Sequence, residues 1–313
     1  MTAYLSGMVL ETGGGRYKVM LTDGREVEAS LRGRLKQEAR TGDRVVIGDQ
    51  VQVSDLQVEG SEASWAIESV AAREREIVRR GMNLHRAKVI AANVDIMLVV
   101  VAARDPDARL DVVDRLLVIA ESNGIEPRIV VNKLDLEGAR ELSEPITSLY
   151  PKLGYPTLTA SAKTGEGMEE LGGWLHEGIS ALIGPSGVGK SSLLNTLDPR
   201  LQLRTGELTK KLARGRHTTV NSRLLPVEGG GWVADTPGFG DVGVWGVDPE
   251  SLTQAFPEFI DPADHCRFRG CSHTHEPGCG VREAVERGEI TQSRMASYLL
   301  IHTSAVEGKA PDW

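Results

Sequence analysis

Gly184-Pro185-Ser186-Gly187-Val188-Gly189-Lys190-Ser191 is the stretch that decides the fold. It has the spacing G-x-x-x-x-G-K-[ST] and lies between an apolar strand-like run, Ile179 to Ile183, and a helix-forming run that continues through Ser192 to Leu197. Glycines in such a turn let successive backbone N–H groups point at one anion, and the helix N-terminus adds its partial positive charge. Lys190 is then placed to reach β- and γ-phosphates, and Ser191 to ligate Mg²⁺. A phosphate loop leading into a helix is expected here, inside an α/β domain.

Such a loop reads phosphates and not bases, so a base reader has to be sought upstream. Asn132-Lys133-Leu134-Asp135 follows the strand-like run RIVVN. A carboxylate at Asp135 can accept from the N1–H and N2 amino groups of guanine, two donors that adenine lacks. The Asn132 amide can address the N7/O6 edge, and the Lys133 stem can cover the ring. Ser161-Ala162-Lys163 comes one strand-helix unit later, where a backbone N–H can meet guanine O6. Downstream of the loop, the apolar run WVAD ends in Asp235-Thr236-Pro237-Gly238. There the Asp235 carboxylate can hold Mg²⁺ through water, and the Gly238 N–H can sense a γ-phosphate. Between them, Arg214-Gly215-Arg216-His217-Thr218-Thr219 offers a threonine to Mg²⁺, with Thr218 and Thr219 both eligible.

The order of these pieces is unusual. A guanine-nucleotide switch protein ordinarily runs phosphate loop, threonine, D-x-x-G, N-K-x-D, S-A-K. Here the two base-reading motifs precede the phosphate loop, which describes a circularly permuted domain whose site is retained while its chain ends move. Around it, residues 95–103 (DIMLVVVAA) read as a buried parallel strand. A helix with Val112, Val113, Leu116, Leu117 and Ala120 on one face follows, then further strand-helix units, consistent with a doubly wound sheet over residues 73–250.

The flanks differ in character. Residues 1–72 contain GRYKVML and REVEASL around Asp23-Gly24, a hairpin signature, then DRVVIGDQVQV and SWAIESV. Several short strands in so small a module suit an OB-like or SH3-like barrel. Residues 251–313 are polar and carry all three cysteines, in Cys266-x₄-Cys271-x-His273-x₅-Cys279. Three thiolates and an imidazole that close in sequence form the ligand set of a structural zinc site, with His265 and His275 as competing imidazoles. An odd, clustered cysteine count is a poor disulfide framework and fits a reducing compartment. The sequence has no apolar run of membrane-spanning length, and its start lacks signal-peptide features, so a cytoplasmic protein without membrane partners is expected.

With these motifs in place, the whole chain resembles the bacterial ribosome small-subunit-dependent GTPase A family. The likeness extends from LRGRLK and TGDRV in the N-terminal module, through the permuted core, G-R-H-T-T and D-T-P-G-F, to the cysteine cluster. The resemblance implies an OB-fold domain, a permuted GTPase and a zinc domain. It also implies GTP hydrolysis stimulated by the small ribosomal subunit during late maturation, with hydrolysis promoting release. It favours His273 as the fourth zinc ligand and makes His217 the candidate for organising the attacking water. The position after the D-x-x-G glycine is Phe239, which cannot hydrogen-bond water. Val220 stands where many members extend the threonine run. A rival class is a nucleotide-gated rRNA-binding adaptor with negligible hydrolysis of its own.

The formal charge of −8 argues against a generally nucleic-acid-coated protein. It averages over two basic tracts. Residues 73–88 carry six basic against two acidic side chains, and residues 198–223 carry seven against two. Contact with rRNA phosphates through these tracts is expected, in a chain expected to be monomeric.

Overall fold

The computed structural model describes residues 4–33, 35, 45–56, 65–80, 87–201, 203, 222–235 and 249–307. The chain divides into two compact units. One comprises Met1–Ile96, Gly172–Ala181 and Gly206–Phe239, and the other Met97–Leu171, Leu182–Thr205 and Gly240–Trp313.

In the first unit, β1 (Tyr4–Gly13), β2 (Arg16–Leu21), β3 (Glu26–Leu31), β4 (Gln50–Asp55) and β5 (Trp65–Val70) form a barrel in the order β1-β2-β3-β5-β4. Pairing of β4 back onto β1 closes it and leaves no open edge. This is the five-stranded OB-like topology. The alternation read from GRYKVML and REVEASL places Val19, Leu21, Ala29 and Leu31 inward, against Val9, Val51, Val53 and Ile67. Their hairpin turns at Gly24, whose φ of +85° suits a residue without Cβ. The sequence reading missed β1. Gly7 interrupts its apolar pattern, yet a Cβ there would lie 2.6 Å from Val19 Cγ1, so the glycine permits β1 and β2 to approach.

Two further features of this unit differ from the expectations. The DRVVIGDQVQV run forms strand only over β4, and Val45 to Asp49 precede it as buried irregular chain. Part of the 73–88 basic tract is an antiparallel ribbon, β6 (Glu76–Arg80) with β7 (Ala87–Ala92). Arg73 pairs with the fully buried Asp49 at 2.7 Å and with Glu76, and Arg75 pairs with Asp95 at 2.7 Å. Two of the tract's cations therefore serve internal ion pairs. The unit is completed by the hairpin β12 (Ser222–Pro226) and β13 (Trp232–Asp235). β13 runs parallel to the first three residues of β11 (Ile179–Ile183).

In the second unit, β8 (Ile96–Ala102), β9 (Glu126–Asn132) and β10 (Thr157–Thr159) lie in the order β10-β9-β8, with β9 and β10 parallel. All seven residues of β8 are buried. Between and after them come α1 (Leu110–Ser122), α2 (Ala139–Leu149), α3 (Met168–Leu175) and α4 (Lys190–Leu197). The C-terminal part contributes α5 (Pro257–Ala263), α6 (Gly280–Glu286) and α7 (Gln292–Glu307).

Helix α1 buries more than the apolar face read from its sequence, because α7 packs along it. Asp114 and Arg294 are both essentially inaccessible, and Arg294 Nη1 donates to Asp114 Oδ1 at 2.7 Å. Arg294 Nε donates to Glu258 Oε1 at 2.5 Å, its guanidinium lies 4.3 Å from the Phe256 ring centroid, and the Tyr150 hydroxyl donates to Asp114. Burial alone would lower the Arg294 pKa, but the two carboxylates outweigh it and keep the guanidinium charged. This buried triad ties α1 to the C-terminal segment. Among the described residues no helix is long and apolar enough to cross a membrane.

Candidate nucleotide site and metal centre

The motifs at 132–135, 161–163 and 184–192 come together in the second unit. Asn132, at the end of β9, is 2% exposed. Its Nδ2 donates to Val188 O at 2.9 Å, and its Oδ1 accepts from Ala162 N at 3.3 Å. One amide thus ties the phosphate loop to the Ser161-Ala162-Lys163 turn. Gly189 makes the tie possible: its φ is +97°, and a Cβ there would sit 2.3 Å from Asn132 Nδ2.

Asp135 is held for recognition by its neighbours. The Ser161 hydroxyl donates to Asp135 Oδ1 at 2.7 Å, and Lys163 Nζ lies 3.5 Å from Oδ2. The Ser161 hydrogen bond, aided by Lys163, holds the Asp135 carboxyl below the ordinary range, so it is an acceptor at neutral pH. Lys133 adopts a left-handed backbone conformation, and its Nζ donates to the Asp105 carbonyl. Asp105, Asn132, Asp135, Lys163, Gly189 and Ser192 are among the residues lining a cavity of about 430 Å³, within the range of small-molecule sites.

In the phosphate loop, Gly184 passes so close to β8 that a Cβ would lie 2.0 Å from Val100 O. Gly187 has a φ of +84°, Val188 is buried, and Lys190 Nζ donates to the Gly184 and Pro185 carbonyls at 2.7 and 2.9 Å. Ser186 lies in the same turn, and Ser191 and Ser192 lie in the first turn of α4. Asp235 lies in the first unit, at the end of β13, where Arg223 Nε donates to its Oδ2 at 3.0 Å. His217, Thr218, Thr219 and Gly238 fall outside the described residues. Asp105 was not singled out from the sequence, and Arg223 was read only as one cation of the 198–223 tract. A loop carbonyl and a cross-strand partner leave no local motif.

The cysteine cluster also assembles. Donor atoms of Cys266, Cys271, His273 and Cys279 all lie within 4.8 Å of one another. Cys266 Sγ is 3.9 Å from Cys279 Sγ, and His273 Nδ1 is 3.5 and 3.3 Å from those two sulfurs. Tetrahedral zinc with bonds of about 2.3 Å to sulfur and 2.0 Å to nitrogen separates its ligands by about 3.8 and 3.5 Å, so the donor set fits. All three cysteines are free. Burial pushes the Cys271 thiol up to about 12 and lowers the His273 pKa, which keeps that imidazole neutral and able to ligate. His273 has a positive φ of +59°, and its ring packs against Phe259 and Tyr298. His265 and His275 are not part of the cluster.

Known proteins resemble this arrangement along the whole chain. A sequence profile described as RsgA GTPase matches residues 70–245. The small ribosomal subunit biogenesis GTPase RsgA of Gemmatimonas aurantiaca is 43% identical over 301 residues, covering 96% of this chain and 97% of that protein. Its namesake in Bacteroides fragilis is 35% identical, covering 97% and 98%. The crystal structure of YjeQ from Thermotoga maritima superposes with a TM-score of 0.79 at 33% identity, covering 97% of this chain and 99% of that one. YloQ, described as a circularly permuted GTPase, gives 0.76 at 27% identity, covering 99% and 98%. Motif order, site geometry and these likenesses agree, and the chain belongs to the RsgA GTPase family of circularly permuted GTPases.

Proposed function

We propose that this protein binds the small ribosomal subunit and its rRNA in the GTP state and hydrolyses GTP there during late subunit maturation, with the GDP state promoting release. The observation that carries the reading is the joined pocket, in which Asn132 bridges the phosphate loop to the turn beside the guanine-reading Asp135. The relatives named as small ribosomal subunit biogenesis GTPases supply the partner.

In this reading Asn132, Lys133, Asp135 and Ser161 to Lys163 bind the guanine and ribose side. Gly184 to Ser192, Asp235 and Gly238 bind the phosphate side. Ser191, Asp235 through water, and one of Thr218 and Thr219 hold Mg²⁺, whose hard charge would stabilise the transferring phosphoryl oxygens. A hydroxyl at a helix start and a half-exposed carboxylate at a strand end are oxygen donors of the kind Mg²⁺ takes. His217 orients the attacking water. Cys266, Cys271, His273 and Cys279 hold one structural Zn²⁺, for which the thiol-rich tetrahedral spacing is the support. The functional boundaries are 1–72 for the barrel, 73–250 for the GTPase domain and 251–313 for the zinc domain, in a cytoplasmic monomer.

Since Arg73, Arg75, Arg200 and Arg223 are engaged in ion pairs, rRNA contact falls to the remaining cations of the two basic tracts. Co-sedimentation with purified small subunits tests the reading. Retention with a non-hydrolysable GTP analogue and loss with GDP is expected, falling steeply with salt. Equal retention in both nucleotide states would contradict it.

A further inference from the structure

Asp235 is not alone at the end of its strand. Arg223 is its register partner across the β12–β13 ladder, and Arg223 Nε donates to Asp235 Oδ2 at 3.0 Å. The other three register pairs of that ladder, Leu224 with Ala234, Leu225 with Val233 and Pro226 with Trp232, carry no charge. The Arg223 and Asp235 side chains are 45% and 42% exposed, so the ion pair stands in solvent. Exposed pairs of this kind add little to stability, and packing of the ladder does not require this one. The turn from Val227 to Gly231 joins the two strands, and their register sets Arg223 directly across from Asp235.

If Asp235 faces Mg²⁺, as proposed above, one carboxylate has two cations to serve. A guanidinium donating to Oδ2 and a hydrated divalent ion organised by the same group compete, because each fixes the carboxylate orientation and the two positive charges repel. We propose that Arg223 is a positioning residue for the Mg²⁺ site: it holds Asp235 when the ion is absent and yields the carboxylate when Mg²⁺ enters with nucleotide. The paired cation sets the Mg²⁺ concentration at which the nucleotide is locked in. It also keeps the Asp235 carboxylate paired in the emptied site.

The test uses the full chain loaded with a fluorescent GDP analogue, with its release rate followed across a Mg²⁺ titration. Arg223→Gln is expected to lower the Mg²⁺ concentration that half-maximally slows release by about twofold to fivefold, the range one exposed ion pair can supply. Arg223→Lys, which keeps the charge without the planar fork, is expected to fall between the two. Asp235→Asn is expected to abolish the Mg²⁺ effect on release or strongly raise its half-effect concentration, and adding Arg223→Gln to it should change nothing more. An unchanged or raised half-effect concentration in Arg223→Gln, with Asp235→Asn still altered, would overturn the role of Arg223 and leave Asp235 in place. A normal Mg²⁺ response in Asp235→Asn would overturn the Asp235 assignment itself, and the competition with it.

Discussion

The base pocket and the Cys/His cluster occupy the same unit but are held together by opposite means. In the pocket every recognition group already has a protein partner: Asn132 is bonded to Val188 and Ala162, and Asp135 to Ser161. These bonds satisfy buried polar atoms of the pocket from within the protein. In the cluster, three sulfurs and an imidazole crowd within 4.8 Å beside helices of only seven residues, α5 and α6. Changes in the pocket should therefore alter binding with little effect on folding, whereas changes in the cluster should alter folding first.

Removing the metal gives the largest expected effect. Structural zinc contributes an apparent binding free energy on the order of 10 kcal/mol, and in the proposed site that energy would be folding energy. Chelation, or Cys271→Ser, is expected to remove one equivalent of zinc and much of the C-terminal helicity, read by metal analysis and circular dichroism. Retained helicity after complete removal of the metal would break the contrast.

Next in size is the triad that joins α1 to the C-terminal segment. Arg294→Ala leaves Asp114 buried without its cation, and breaking such a pair costs about 3–5 kcal/mol. A clear fall in the urea midpoint is expected, with guanine selectivity kept. A loss below 1 kcal/mol would place the joint elsewhere.

Asp135→Asn sits on the binding side of the contrast. Losing the charge-assisted hydrogen bonds to guanine is expected to cost about 3 kcal/mol, roughly 100-fold in GTP affinity, with thermal stability nearly unchanged. Preference should shift toward xanthine nucleotide. The pH dependence has a definite sign. Because Ser161 lowers the Asp135 pKa, the carboxylate stays ionised, and guanine affinity is lost only as pH falls through that depressed value, below the ordinary aspartate range. GTP binding titrated from pH 8 to 5 should therefore show no loss attributable to this group.

What the sequence made legible was local. The G-x-x-x-x-G-K-S loop, the N-K-x-D and S-A-K motifs and the four candidate metal ligands are short spacings, and the structure brings those described together. The GRYKVML–REVEASL hairpin was readable for the same reason. Strand β1 was hidden by Gly7, whose value depends on a neighbour strand that a linear pattern does not contain. Arg73 read as one cation of a surface tract, and only the fold supplied Asp49 as its partner. The Arg294–Asp114 pair spans 180 positions, and Arg223 with Asp235 depends on strand register. Such contacts are set by topology and leave no motif.

The central claim is that nucleotide turnover in this site answers to the small ribosomal subunit. The direct measurement is GTP hydrolysis by the full chain with and without purified small subunits, for the unaltered protein and His217→Ala. Phe239 gives no hydrogen bond to water, so turnover alone should be slow. Subunits are expected to raise it at least about tenfold, and His217→Ala should bind GTP normally while losing most of that rise. Turnover indifferent to the subunits, in protein that binds GTP normally, would contradict the claim.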